Sequence, residues 1–184
     1  MTSVATNQAR YSKVMMLLHW AMLLLIIAVF AFIEGRELFE KGTEAREFMK
    51  TTHYMLGLTV LFAVIIRLVV RFSSQIPPIE PTPHWALKRL GQTMHIVLYV
   101  LMLGMPIAGW LMLSAAGKPI PFFGLELPAL IGENEALADQ IKDAHKTVGS
   151  LAYYLIAAHA LAGLYHHYMC RDNTLLRMMP AKSK

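Results

Sequence analysis

The stretch HKTVGSLAYYLIAAHALAGLYHH, residues 145–167, decides the fold of this chain. A bilayer has a hydrocarbon core about 30 Å thick, so about 20 apolar residues cross it as a helix. His145 and His159 lie 14 residues apart in this stretch, which on a helix is about 21 Å of rise and about 40° of rotation. One helix face therefore presents two imidazoles at two depths.

Glycine follows these two histidines at one spacing. Gly149 and Gly163 lie four residues after them, and His53 with Gly57 repeats the pattern in another apolar run. Residues four apart share a helix face, so a ring nitrogen at one position can bind an iron. The missing side chain at the other lets a porphyrin approach the backbone. The pattern predicts helices that bind haem.

The whole chain has the composition of a membrane protein. Hydrophobic residues make up 56% and charged residues 16% of its 184 positions, and the mean hydropathy is +0.46. We predict an all-α membrane protein, one domain over residues 1–184, folded as a four-transmembrane-helix bundle. Residues 134–145 carry apolar side chains at helical spacing, so the fourth helix should begin outside the bilayer. The predicted spans are residues 14–33, 53–72, 94–113 and 145–168.

Lysine and arginine are distributed unevenly between the two sides of the predicted bundle. The side that holds both termini has 10 of them and the other side has 7, whereas 10 of the 12 acidic residues lie on the side poorer in bases. Because cytoplasmic loops carry the excess of these bases, both termini are predicted to face the cytoplasm. The ten bases are Arg10, Lys13, Arg67, Arg71, Lys88, Arg89, Arg171, Arg177, Lys182 and Lys184.

Histidines inside membrane spans are costly and usually serve function. With the N-terminus inside, His53 opens the second span at the outer surface and pairs by depth with His145. His19 lies near the inner end of the first span and pairs with His159. Two irons with two axial histidines each are therefore predicted, and such ligation disfavours oxygen binding and favours electron transfer.

Two other histidines are alternative ligands. His95 lies at the inner start of the third span, and His166 lies seven residues beyond His159 on nearly the same face. Neither has glycine four residues later, and His19 has Leu23 there. The inner ligand set therefore stays open at this point, with His19 preferred by depth.

The single cysteine, Cys170, allows no disulfide within one chain, and we expect it to be an inert thiol at the inner end of the fourth span. The sequence has no C-x-x-C-H motif. A haem here would be held by axial ligands and packing, as b-type haem is.

Four strings are similar to the bacterial cytochrome b561 family, and the resemblance covers nearly the whole chain. The resemblance implies a dihaem b cytochrome of the bacterial inner membrane, with His19, His53, His145 and His159 as the ligands. It also implies a superoxide oxidase that takes electrons from superoxide outside and reduces ubiquinone. The strings are YSKVMMLLHW (11–20), RLVVRF (67–72) before a proline-rich linker, HIVLYVLMLGMPIAGW (95–110) and HHYMCRDNTLLRMMP (166–180).

Substrate sites are predicted at both surfaces. Lys50, Lys142 and Lys146 border the outer ligands in the sequence and could attract superoxide. The outer side as a whole has 7 bases against 10 acids, so the attraction requires a local group of bases, which we call the basic funnel. Groups that could hydrogen-bond a quinone and relay protons lie on the inner side. These quinone candidates are His95, His166, His167, Arg67, Arg71 and Arg171.

Two other classes of function remain open from the sequence. The chain could be the haem b membrane-anchor subunit of a partner oxidoreductase, passing electrons between that partner and quinone. Its histidines could instead form a metal or proton path in a transporter, which predicts a protein without haem. Membrane lipid is an expected neighbour, and no nucleic-acid partner is expected.

Overall fold

The computed structural model describes residues 10–180. Four long helices, α1 to α4, dominate it, and each is long and apolar enough to cross a membrane. The predicted all-α bundle is therefore confirmed, and Lys182 and Lys184, counted above, lie outside the described residues. The helices are α1 Lys13–Gly35, α2 Glu44–Ser73, α3 Trp85–Ala115 and α4 Glu135–Tyr165, and a π-helical turn, His166–Cys170, continues α4.

Side-chain caps at the helix starts fix where the helices begin. Ser12 accepts from the backbone N–H of Met15 at 3.2 Å, and Asn134 accepts from Leu137 N–H at 3.0 Å. Such oxygens satisfy N–H groups that have no partner inside the helix. Since Asn134 caps α4, this helix starts before the apolar run that predicted a span over residues 145–168.

The helices pack in chain order, α1 against α2, α2 against α3 and α3 against α4. Met15 and Val64 are at most 1% exposed in the interior, whereas Leu24, Val69 and Leu161 are 63–67% exposed on the outer faces. Apolar side chains on the outside are what a bundle in lipid requires. The backbones of α1 and α2 approach α4 less closely than neighbouring helices approach one another. Aromatic rings meet across the interval between α1 and α4, where the centroids of Phe30 and Tyr153 are 4.2 Å apart.

The connection from α3 to α4 folds back on the end of the bundle that we call the hairpin end. Its two short antiparallel strands, β1 (Pro121–Phe122) and β2 (Leu125–Glu126), are a small addition to the predicted all-α fold. Ile120 is 2% exposed and packs with Leu58 of α2 and Leu113 of α3. This packing holds the loop against α2 and the end of α3.

A polar clasp closes the opposite end, which we call the termini end because both described chain ends lie there. Asn173 exchanges two hydrogen bonds with the backbone of Glu80, at 2.9 and 3.0 Å, and Arg177 donates to the Pro77 carbonyl. The indole of Trp20 donates to the Met178 carbonyl at 2.9 Å. The clasp therefore ties α1 and the α2–α3 linker to the segment after α4.

Candidate functional site

One pair of histidines lies near the hairpin end. His53 on α2 and His145 on α4 face each other with ring centroids 6.4 Å apart and planes at 81°. An imidazole nitrogen bonds a first-row metal at about 2.0 Å, so two rings bound on opposite sides of one metal have centroids about 6 Å apart. The distance therefore fits one iron between these two rings.

The hydrogen bonds of this pair leave nitrogen atoms available for a metal. Nδ1 of His53 donates to the Val29 carbonyl at 2.9 Å, so its Nε2 carries no proton in the neutral ring and can bind iron. Nδ1 of His145 is buried without a hydrogen-bond partner among the described residues. A buried ring nitrogen left unsatisfied in this way is suited to a ligand.

Three histidines lie together at the termini end. His19 of α1 and His159 of α4 have ring centroids 6.2 Å apart, nearly the spacing of the first pair, with planes at 76°. His95 of α3 packs edge-on against His159 at 5.4 Å, closer than two rings bound on opposite sides of one metal would stand. The structure brings together all the ligand candidates except His166, and the spacing favours His19 as the partner of His159.

The glycines next to the histidines differ in their surroundings. No atom lies within 4 Å of the point where a Cβ would stand at Gly57 or Gly163, so both leave room for a flat group. At Gly149 a Cβ would meet the terminal methyl of Met105 at 3.6 Å. Room for a porphyrin against the helix backbone is therefore clearest at Gly57 and Gly163.

A buried arginine lies beside the histidines at the termini end. Arg67 is 9% exposed and near His19 and His159, and its Nε donates to the hydroxyl of Tyr99 at 3.3 Å. A cation inside an apolar bundle is costly unless an anion accompanies it. Its position therefore suits the acidic side chain of a cofactor at least as well as a quinone carbonyl.

His166 forms a dyad with Asp172, a residue that sequence reasoning missed. Nδ1 of His166 lies 2.5 Å from a carboxylate oxygen of Asp172, and the backbone N–H of Thr174 donates to the other oxygen at 2.8 Å. Burial alone would raise the pKa of Asp172, but the hydrogen bonds from His166 and Thr174 outweigh it and hold that pKa below its ordinary value. Asp172 therefore stays an anion that fixes the tautomer and orientation of His166.

Of the remaining quinone candidates, Arg71 lies near His95, whereas His167 and Arg171 stand apart from these two groups. The ring of His167 packs against Tyr168 at 4.8 Å. No hydrogen bond or salt bridge within residues 10–180 joins His167, Arg71 or Arg171 to His95, His166 or Arg67. Of the six candidates, His95, Arg67 and Arg71 lie in one group, and His166 stands with Asp172.

The three lysines predicted to attract superoxide differ in whether an acidic side chain pairs with them. Lys50 is paired with Glu47 at 2.5 Å and Lys142 with Asp139 at 2.6 Å, whereas Lys146 forms no salt bridge in the described part of the chain. The neighbouring carboxylates therefore largely offset the positive charges of Lys50 and Lys142.

A cleft of about 560 Å³ opens at the hairpin end beside Tyr54, the neighbour of His53. Lys118 also lines this cleft. It was not among the predicted lysines, because only the folding of the loop after α3 places it near the outer ligands. Acidic side chains outnumber lysines in the lining, which includes Lys118, Lys142, Glu133, Glu135 and Asp139.

Four membrane-length helices that carry paired histidines are typical of one class of proteins, the membrane-embedded cytochromes. Within that class, this chain belongs to the prokaryotic cytochrome b561 family, which it matches over residues 10–181. Membership identifies a multi-pass bacterial membrane protein that transfers electrons across the membrane and uses b-type haem.

Individual relatives match almost end to end. Cytochrome b561 homolog 1 of Escherichia coli is 38% identical over 174 residues, covering 94% of this chain and 98% of the relative. The probable superoxide oxidase CybB of Yersinia pestis is 36% identical over 173 residues, covering 94% and 97%. Cytochrome b562 of Cereibacter sphaeroides is 25% identical, covering 95% and 98%.

Proposed function

We propose that this chain is a dihaem cytochrome b that oxidises superoxide outside the bacterial inner membrane and reduces ubiquinone. The observation that carries the proposal is the presence of two histidine pairs at two depths, with ring centroids 6.4 and 6.2 Å apart. The choice of superoxide rests on the relative from Yersinia pestis, which is named a probable superoxide oxidase.

The hairpin end faces the outside in this proposal, and both termini face the cytoplasm. The excess of lysine and arginine on the side of the termini supports this orientation. Fusing a reporter that is active only in the cytoplasm to the C-terminus would test it, and an inactive fusion would contradict it.

His53 and His145 would hold the outer haem, and His19 and His159 the inner one. Gly57, Gly149 and Gly163 line the sides of these sites. Haem b held by two histidines would supply one-electron transfer and would leave the iron no free position for oxygen. Arg67 would receive an acidic side chain of the inner haem, which satisfies the buried guanidinium.

Superoxide would approach the outer ligands past exposed lysines. Lys146 follows His145 directly and has no acidic partner within residues 10–180, so its charge is available to an anion. Lys118 adds a second cation at the cleft beside Tyr54, whereas Lys50 and Lys142 contribute less because of their paired carboxylates. The attraction is local, since the outer side as a whole is acidic.

Ubiquinone would be reduced at the termini end. Two superoxide ions give up one electron each and become dioxygen, and one ubiquinone takes these two electrons and two protons to become ubiquinol. His166 can hold one proton at its ring while Asp172 fixes the ring through Nδ1, which leaves Nε2 to face the quinone. His95 is a second group that can donate to a quinone carbonyl.

The experiment is to add superoxide to the purified protein with ubiquinone and to follow haem reduction and ubiquinol formation. We expect about two superoxide consumed per ubiquinol formed, as one-electron donation to a two-electron acceptor requires. A haem protein that ignores superoxide until a partner protein is added would contradict the proposal and identify a membrane-anchor subunit.

A further inference from the structure

Three different metal-binding side chains converge just beyond the α-helical part of α4. His166, Cys170 and Asp172 each offer one ligand atom, and these atoms all lie within 4.8 Å of one another. Cys170 was expected to be an inert thiol, and nothing in the proposed function uses it. We call these three residues the His-Cys-Asp cluster.

Local backbone geometry builds the cluster. The π-helical turn His166–Cys170 places the thiol one wide turn after the imidazole, and π turns of this kind occur often at functional sites. Arg171 then adopts the left-handed conformation, with φ 54°, and turns the chain back so that Asp172 faces the ring. The clasp through Asn173 fixes the segment that follows.

We propose that the His-Cys-Asp cluster binds Zn²⁺ at the termini end of the bundle. Thiolate, imidazole and carboxylate are the side chains that bind zinc in proteins, and three of them leave a fourth tetrahedral position for water. Calcium and magnesium prefer sites made of oxygen alone, so the sulfur and nitrogen ligands select against them.

Burial and hydrogen bonding hold the ligands of the His-Cys-Asp cluster in place before a metal binds. Asp172 is 4% exposed, and the N–H of Thr174 holds the carboxylate oxygen that does not face His166. His166 and Cys170 are half-buried, so a metal ion in water can reach them. Ligands already held close together lose little freedom on binding, and carboxylates that bind a metal are usually held by such hydrogen bonds themselves.

Zinc binding would compete with the proton between His166 and Asp172. The ring nitrogen facing the cluster is Nδ1, which lies 2.5 Å from the carboxylate. When zinc bonds to Nδ1, the proton there leaves to water or moves to Nε2, and the thiol loses its proton to water. If quinone reduction uses His166, as the proposed function holds, micromolar zinc should slow that reduction and leave haem reduction from the outer side unchanged.

The test measures metal binding directly on the haem-loaded protein. Zn²⁺ is titrated against a chromophoric chelator, and the rate of Cys170 alkylation by iodoacetamide is followed with and without the metal. We expect one ion per chain and at least tenfold slower alkylation in its presence, because coordinated sulfur is not a free nucleophile.

Variants assign the ligands. Cys170→Ala and Asp172→Asn should each weaken Zn²⁺ binding at least tenfold. His167→Ala is the matched control, since its ring packs on Tyr168 outside the cluster, and it should bind zinc as the unaltered chain does. An unchanged haem spectrum checks that each variant is folded.

Two results would overturn the proposal. One is an alkylation rate that zinc does not alter in the unaltered protein, a measurement that needs no variant to fold. The other is a Cys170→Ala variant that binds zinc as tightly as the unaltered chain. Binding of zinc without an effect on quinone reduction would instead contradict the quinone role of His166 and leave the metal site in place.

Discussion

Replacing Gly163 with leucine separates a glycine that makes room for haem from one that serves helix packing. No atom lies within 4 Å of the point where a Cβ would stand at Gly163. The protein therefore has room for a larger side chain there. Removing a glycine from a helix interior also favours the helix by about 0.5–1 kcal/mol. Helix energetics alone thus predict a variant that is unchanged or slightly more stable.

If haem lies beside Gly163, the leucine side chain occupies its place. We expect the Gly163→Leu variant to lose the haem held by His19 and His159, so that haem b per chain falls from about two to about one. The assay is the pyridine haemochrome spectrum, with protein measured by quantitative amino-acid analysis. Thermal unfolding followed by circular dichroism would show that the helices remain.

Gly104→Leu is the matched control for this experiment. Gly104 is also a helical glycine with no atom within 4 Å of its added Cβ, but no histidine precedes it by four residues. The control should keep both haems. Retention of both haems in the Gly163→Leu variant would refute the reasoning, because the space beside His159 would then not belong to a haem.

Three further changes test the two surfaces and the clasp. Exchanging Lys118 and Lys146 together for glutamate should slow haem reduction by superoxide at least several-fold at low salt and less at high salt. The same exchange at Lys50, whose charge Glu47 already offsets, should have a smaller effect. Asp172→Asn should slow ubiquinol formation at least several-fold while haem reduction by superoxide keeps its rate, since it removes the group that orients His166, whose proton transfer contributes about 100-fold or more. Asn173→Ala removes the two side-chain hydrogen bonds of Asn173, which accepts from the Glu80 N–H and donates to the Pro78 carbonyl, and should lower the free energy of unfolding by about 1–3 kcal/mol, measured by denaturant titration of haem absorbance.

The sequence predicted the parts of this protein that depend on periodicity and depth. The four apolar runs predicted the four helices, because a span must satisfy its backbone hydrogen bonds internally and the helix is the local way to do so. The 14-residue spacing on α4 predicted two imidazoles on one face, and the structure places one partner ring on α2 and another on α1 about 6 Å away. Depth placed His19 and His95 at the same end of the bundle and left the choice between them open, and the ring spacings in the structure favour His19.

The missed residues depend on folding that is not periodic. Asp172 meets His166 only because Arg171 takes a left-handed conformation, which a non-glycine residue rarely does. Lys118 reaches the cleft because the loop after α3 folds back on the bundle. The salt bridge of Lys142 with Asp139 could have been predicted, because the two residues are three apart on a helix.

The haem content of the unaltered chain and of the His145→Ala variant is the measurement that tests the central claim most directly. Two histidine pairs at two depths predict about two haem b per unaltered chain and about one in the variant, in which His53 has lost its partner. A single haem in the unaltered chain, or two in the His145→Ala variant, would contradict the claim. A colourless protein would exclude any haem function and favour a transporter.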